Sequence, residues 1–417
     1  MGHALNTCNV NVISRSKLIE KAPELPLWCL PAVDSKGFDI ALKKLLKACE
    51  RKDRNRSKTY TATAQTVLTS LMSALTPFYR YSSSGSIPLD KLLTHDDINK
   101  TRLLKIIEAA TSLGWVKPVD YLKEINPIID GKAQSRIEIT KTCPRLSDDD
   151  VVKISLASIS FIKKTTDRKK TGTSEFHYTK NQQDADQKLL HQYNKLVHTT
   201  DFKLGGQKVF MPLIVRRGFK LAKNDSLLNG RFSGGFWQAL DSDKRSTVTI
   251  NGQKTVEHDY SSMYLSAAYH LCGLTSPDNP YTLTGLSRDE MKTLTSSCFN
   301  ISKARRKSTL IKILSDKRKV ESVDVEKDIA NFIKHIDSAH KAIKDILFLP
   351  KVGAKLMWME SIITRNIINH FTKQNIVILP IHDSYVIDKK HEVELLEQMN
   401  KRYETLFDTK PKIKKAF

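Results

Sequence analysis

The chain has 417 residues, 40% of them apolar, which is length enough for two or three domains that each bury a core and excludes a fibrous or wholly disordered protein. Its 68 Lys and Arg against 45 Asp and Glu leave a net charge of +23 spread along the chain, so the expected partner is a polyanion, nucleic acid first, ahead of a basic membrane face or a merely solvated surface. No apolar run reaches the roughly 18 residues that span a bilayer, MGHALNTCNV lacks a signal-peptide core, and the six cysteines include no C-x-x-C pair, so a membrane partner, a zinc site and a disulfide framework are not expected.

Residues 1–59 hold one amphipathic stretch, GFDIALKKLLKACERK, followed by the charged run RKDRNRSK, and are read as an N-terminal helical segment. Residues 60–150 hold a helical TATAQTVLTSLMSAL, a break at YSSSGSIPL, and a second helical segment, NKTRLLKIIEAATSLGWVKP. The apolar set of that second segment is Leu103, Leu104, Ile106, Ile107, Ala110 and Leu113, with Gly114 at its end. The alternating run SRIEIT after it reads as a strand. Two helices, a Gly-Trp stop and a basic ribbon resemble a winged-helix DNA-binding domain, in which Arg102, Lys105 and Arg136 would touch nucleic acid; a plain helical packing domain is the alternative.

Residues 151–205 contain the Lys-rich IKKTTDRKKTGTSEF, read as a linker, and the helical DQKLLHQYNKLVH. The extended VFMPLIV and the Gly-rich NGRFSGGFW follow. In STVTINGQKTVEHDYSSMYL the Asn251-Gly252 pair predicts a two-residue hairpin turn, which puts Asp259 near a strand end just before a helix. NIVILPIHDSYVIDKK predicts a second hairpin that holds Asp383 in the open at its tip. Two hairpin-borne aspartates on one sheet form a platform for divalent metal ions, since hard cations take oxygen ligands and phosphoryl transfer needs charge neutralised at both the attacking and the leaving oxygen. Singly, Asp259 also reads as a helix cap and Asp383 as a turn residue.

Between the two aspartates lies GLSRDEMKTLTSSCFN, in which Arg288 and Lys292 share one helical face and ask for an anion such as a nucleoside triphosphate; an exposed basic helix is the alternative. DYSSMYL resembles motif A, Arg288-x-x-x-Lys292 the fingers motif, and IHDSYV motif C of family A DNA polymerases and single-subunit phage-type RNA polymerases, in that order, over residues 205–417. The resemblance implies an α+β right-hand polymerase with an antiparallel palm sheet, helical fingers and a small thumb, behind a mainly helical N-terminal domain. It implies palm segments at 206–274 and 351–417, fingers at 275–350 and a thumb-like helix within 151–205.

It further implies that Asp259, Asp383 and the carbonyl of Tyr260 hold two Mg2+ ions, or Mn2+. Arg288 and Lys292 would grip the triphosphate, with Lys292 protonating pyrophosphate, and Arg231, Arg245 and His382 would lie along the nucleic acid. Glu360 or Ser361 would face the site from the helix before motif C. Tyr264 stands where the DNA polymerases carry a sugar-screening Glu and would block a 2′-hydroxyl by bulk. Ser384 follows the RNA polymerase pattern instead, and Ser296 and Asn300 occupy expected aromatic positions, with Phe299 beside the second. The expected activity is a DNA-directed DNA polymerase of a phage, plasmid or mobile element, without proofreading and helped by a processivity partner, in the cytoplasm of a bacterial or phage-infected cell. Its partners would be template DNA, a primer or RNA, and nucleoside triphosphates. A primase-like or promoter-dependent RNA polymerase and a non-catalytic replication initiator are the rival readings.

Overall fold

The computed structural model describes residues 32–50, 58–74, 78–81, 100–118, 135–147, 149–153, 156, 161–166, 178–210, 214–221, 227–283, 285–344, 346–349 and 352–417. They form a mixed α+β structure with eleven α-helices and a curled antiparallel sheet, and no described helix is long and apolar enough to cross a membrane. Two compact units divide the chain, residues 1–160 with 208–213 and residues 161–207 with 214–417.

In the first unit, β1 (Ala32–Asp34) leads into α1 (Lys36–Glu50), α2 (Lys58–Met72), β2 (Phe78–Tyr81), α3 (Lys100–Ser112), β3 (Val116–Pro118), β4 (Ser135–Ile139) and β5 (Val151–Lys153). The helical spacing of Leu103, Ile106, Ile107 and Ala110 buries them against Leu45, Leu68 and Leu71 in one core. Leu104 and Leu113 are only partly buried. Gly114, at φ +72°, ends the second predicted segment in a conformation that suits a residue without a Cβ. β2, β4 and β3 then pair antiparallel in that spatial order. Residues 82–99 and 119–134, and the side chain of Arg136 on β4, lie outside the described residues.

The second unit opens with β6 (Ile162–Thr166), which pairs parallel to β9 (Arg216–Leu221), so residues read as linker are sheet. Helix α4 (Lys180–Thr199) starts at Thr179, whose side chain and that of Gln182 form a reciprocal capping box. β7 (Phe202–Leu204) and β8 (Gln207–Lys208) follow, and the described part of VFMPLIV is not strand; β9 begins one residue after it. β10 (Leu227–Ser233) pairs back on β9, and the short α5 (Ser242–Arg245) precedes β11 (Val248–Ile250) and β12 (Gln253–Tyr260). Asn251 and Gly252 both have positive φ, the turn their sequence demands.

Next come α6 (Met263–Leu271), α7 (Arg288–Cys298), α8 (Arg306–Arg318), α9 (Glu326–Ala339), α10 (Val352–Lys373), β13 (Ile378–Ile381), β14 (Ser384–Asp388), α11 (Glu392–Phe407) and β15 (Ile413–Lys415). The large sheet runs β13-β14-β12-β11-β7-β8, with β15 added to β12.

Under this sheet α4, β9 and α10 are joined by charge rather than by apolar contact alone. Asp186 accepts from Arg217 Nη1 at 2.5 Å, from Arg365 Nε at 2.5 Å, and from the Tyr178 hydroxyl. Arg217 also donates to the Gly230 carbonyl and Ser361 Oγ, both at 2.9 Å, and lies within 5.7 Å of the Tyr178, Phe219, Phe232 and Trp358 ring centroids. Both Arg217 and Asp186 are only 2% exposed, so each charge depends on the other for solvation. Asp186→Ala is therefore expected to cost about 3–5 kcal/mol and Asp186→Asn less, measured by urea unfolding. An Asp186→Ala midpoint equal to wild type would show that the pair does not hold the unit together.

Candidate active site

Two adjacent strands bring the predicted carboxylates together. On β12, Asp259 is the direct register partner of Ser384 at the head of β14, and the Tyr260 amide donates to the Asp383 carbonyl at 3.2 Å. The β13–β14 turn is closed by His382 at φ +59°. Tyr260 turns its ring into the core, where its hydroxyl reaches the Met399 carbonyl at 2.7 Å, so only its backbone faces the carboxylates. Ser262, in the left-handed region, bends the chain from β12 into α6.

Asp383 is not held in the open as the hairpin pattern implies. It is half-buried, and burial, the charge of Asp259 and the charge of Glu360 raise its carboxyl to about 7. Among the described residues it makes no ion pair. Asp259 is also raised by burial, but the Lys414 ammonium, 3.0 Å from its Oδ2, and the charge of Lys292 both pull the other way. Burial lowers the His382 imidazole, with Arg231 adding to the effect.

Beside the aspartates the Glu360 carboxylate accepts from three donor atoms of two residues. Arg231 Nε and Nη2 donate to its two oxygens at 3.0 and 2.7 Å, and the Tyr264 hydroxyl donates to it at 2.7 Å while also meeting Arg231. Glu360 is 2% exposed, so this pairing, which fixes Tyr264 and Arg231 relative to each other, happens away from water. Burial, then Glu360, pushes the Tyr264 phenol far above its ordinary range, and it stays a neutral donor. Ser361, the next residue, faces the Arg217 cluster instead.

The bulge that aims Arg231 is built from Asn229-Gly230, both at positive φ, where the β9–β10 register slips by a residue. A Cβ on Gly230 would stand 2.8 Å from Ser361 Oγ and 2.9 Å from the Phe219 ring, so the strand crosses α10 there only as glycine.

Arg288 and Lys292 both lie exposed on α7, whose start is fixed by a Ser287–Glu290 capping box. The Arg288 guanidinium sits 5.7 Å from the Tyr281 ring centroid, and the charge of Asp383 is felt at that phenol. Phe299 is core, 1% exposed. Arg245 is engaged elsewhere: Nε and Nη2 hold Glu257 at 2.9 and 3.0 Å, and Ser384 Oγ donates to the same carboxylate at 2.6 Å. Arg102 and Lys105 are half-exposed on α3 of the first unit.

Sequence reasoning missed Lys414, Tyr281 and the Glu257 anchor. Lys414 sits in a three-residue charged strand that carries no strand pattern, and Glu257 reads as a solvent residue of an alternating strand.

The donor set suits a hard divalent cation. Asp259 and Asp383 are neighbouring oxygen donors that repel each other, and a cation on both would relieve the repulsion that raises Asp383. No protein-family model matches the chain, and no curated protein does. Among solved structures the chain is similar to the POL domain of Pol1 from M. smegmatis in complex with DNA primer-template and dNTP, at a TM-score of 0.32 and 11% identity, over 56% of this chain and 51% of that one.

Gly230→Ala is expected to cost about 1–3 kcal/mol, read as a lowered thermal midpoint, because it strains the bulge and displaces Ser361 or Phe219. An unshifted midpoint would mean the crossing has slack.

Proposed function

We propose that the second unit is a template-directed nucleotidyltransferase, a DNA-directed DNA polymerase in which the β12–β14 sheet is the palm, the helices at 275–350 are the fingers, and α4 serves as thumb. The observation that carries this reading is the pairing of β12 with β14, which sets Asp259 beside Asp383 while Lys292 is close enough to act on Asp259.

Asp259 and Asp383, with the Tyr260 carbonyl, would hold two Mg2+ or Mn2+ ions, which when bound supply charge neutralisation and a lowered pKa for the attacking 3′-hydroxyl. Arg288 and Lys292 bind the triphosphate through one helix face, and Lys292 gives a proton to the departing pyrophosphate. Arg231, held by Glu360, steadies the primer-template backbone. Tyr264, held by the same carboxylate, occupies the space a 2′-hydroxyl needs and selects deoxynucleotides. In the first unit, α3 followed by the β3–β4 ribbon supports a winged-helix reading, with Arg102 and Lys105 on DNA phosphates.

Primer extension with labelled nucleotides and Mg2+ or Mn2+ tests the reaction. Asp259→Ala and Asp383→Ala are each expected to lose more than about 10³-fold in rate, and Tyr264→Ala to gain ribonucleotide use about tenfold relative to deoxynucleotide. Synthesis that survives in Asp383→Ala removes the metal platform, ribonucleotide preference in the wild type points to an RNA polymerase, and no synthesis at all leaves a DNA-binding initiator. For the first unit, Arg102→Ala and Lys105→Ala should each weaken duplex binding and reduce the salt slope by about one. A salt slope equal to wild type in both variants would refute the contact.

A further inference from the structure

The carboxylates around the site have two kinds of cationic partner. Glu360 and Glu257 are each clasped by two nitrogens of an arginine, and they are 2% and 4% exposed. Asp259 is held by one lysine nitrogen, with the Lys414 side chain 51% exposed and Asp259 itself 21% exposed. An ammonium on a flexible, half-solvated stem is a partner that can leave, whereas a two-nitrogen arginine fork on a buried carboxylate is held more firmly.

The strand that carries Lys414 cannot leave with it. β15 pairs with β12 so that Asp259 faces Lys414 and His258 faces Lys415. Lys412 is tied to Asp278, and its carbonyl accepts from the Ser261 amide at 2.8 Å. Lys415 reaches Glu392 at 2.8 Å, which also holds His258 at 2.8 Å, and the Ala416 amide donates to the Glu257 carbonyl at 2.8 Å. The backbone on both sides of Lys414 is therefore fixed, and its side chain alone is free to move.

Building on the polymerase reading of this site, we propose that Lys414 is a resident counter-cation for Asp259, displaced when a divalent ion binds there and then free to contact the phosphates of the incoming nucleotide. The argument is electrostatic. A doubly charged ion on Asp259 repels an ammonium bonded to the same carboxylate, and the lysine has solvent to swing into. The triphosphate brought by the ion is the nearest new anion. It then meets cations from two elements, Lys292 from α7 and Lys414 from β15, both of which already act on Asp259.

The test uses the full chain with Lys414→Met, Lys414→Arg and, as a control on the neighbouring position, Lys415→Met. Mn2+ binding to the nucleotide-free protein is measured by calorimetry and nucleotide incorporation by steady-state kinetics. Lys414→Met is expected to bind Mn2+ about five- to tenfold more tightly, because the competing cation is gone, and to raise the KM for nucleotide about tenfold with kcat within about threefold. Lys414→Arg, which keeps the charge in a fork that holds a carboxylate more firmly, should bind Mn2+ no more tightly than wild type, and Lys415→Met should leave Mn2+ affinity unchanged. Unchanged or weaker Mn2+ binding in Lys414→Met overturns the counter-cation role, and tighter binding with an unchanged KM overturns the phosphate role. If the wild type incorporates nucleotide and these results appear, only the role of Lys414 fails. If the wild type incorporates none and Asp259→Asn leaves Mn2+ binding unaltered, the polymerase reading fails with it.

Discussion

The antiparallel pairing of β12 with β14 imposes the constraint on which the second unit is built, because it places Asp259 of β12 beside Asp383 in the turn before β14, where the charge of Asp259 opposes the ionisation of Asp383. Half-burying such a pair costs stability, because burial and the neighbouring charge both disfavour the ionised form. The surroundings answer the cost unevenly. Lys414 and Lys292 offset the charge of Asp259, while Asp383 has Glu360 as a further negative neighbour, which the charge of Arg231 only partly counters, and holds its proton toward neutral pH.

Consecutive residues of α10 link this site to the core beneath it. Glu360 gathers Arg231 and Tyr264, and Ser361 accepts from Arg217 of the buried Asp186 cluster. Both depend on the bulge at Gly230, since its carbonyl receives Arg217 Nε and its missing Cβ lets β10 lie on α10. The orientation of Arg231 is thus set from below, through helix and bulge, before any ligand arrives. This is preorganisation through packed charge, and it explains why a helix under the sheet carries a carboxylate that is almost wholly shielded from water.

The parts of this architecture that were legible in the sequence are those with local chemistry. Asn251-Gly252 specifies a turn that needs two positive φ values, the apolar spacing of α3 specifies its buried face, and the His382-Asp383-Ser384 segment specifies a hairpin tip. What was not legible depends on partners distant in sequence. Arg245 reads as a nucleic-acid contact until Glu257 is brought beside it, and residues 162–166 read as linker because their pairing with β9 is parallel and their composition polar. Lys414 is the extreme case, since nothing in IKK announces that it will lie across from Asp259. The half-burial of Asp383 is hidden for the same reason: a hairpin tip is open only if no other element comes near it, and Arg231, Glu360 and Tyr264 arrive from three different ones.

The long-range and short-range fields of the protein point in opposite directions. A net charge of +23 draws polyanions toward the surface, yet the group they would meet at the proposed site is a pair of aspartates. A phosphate can rest against carboxylates only if positive charge lies between them, and the described side chains bring it near, with Lys292 and Lys414 acting on Asp259 and Arg231 acting on Asp383. Under the proposed function, a metal-chelated nucleoside triphosphate would bring further positive charge with it.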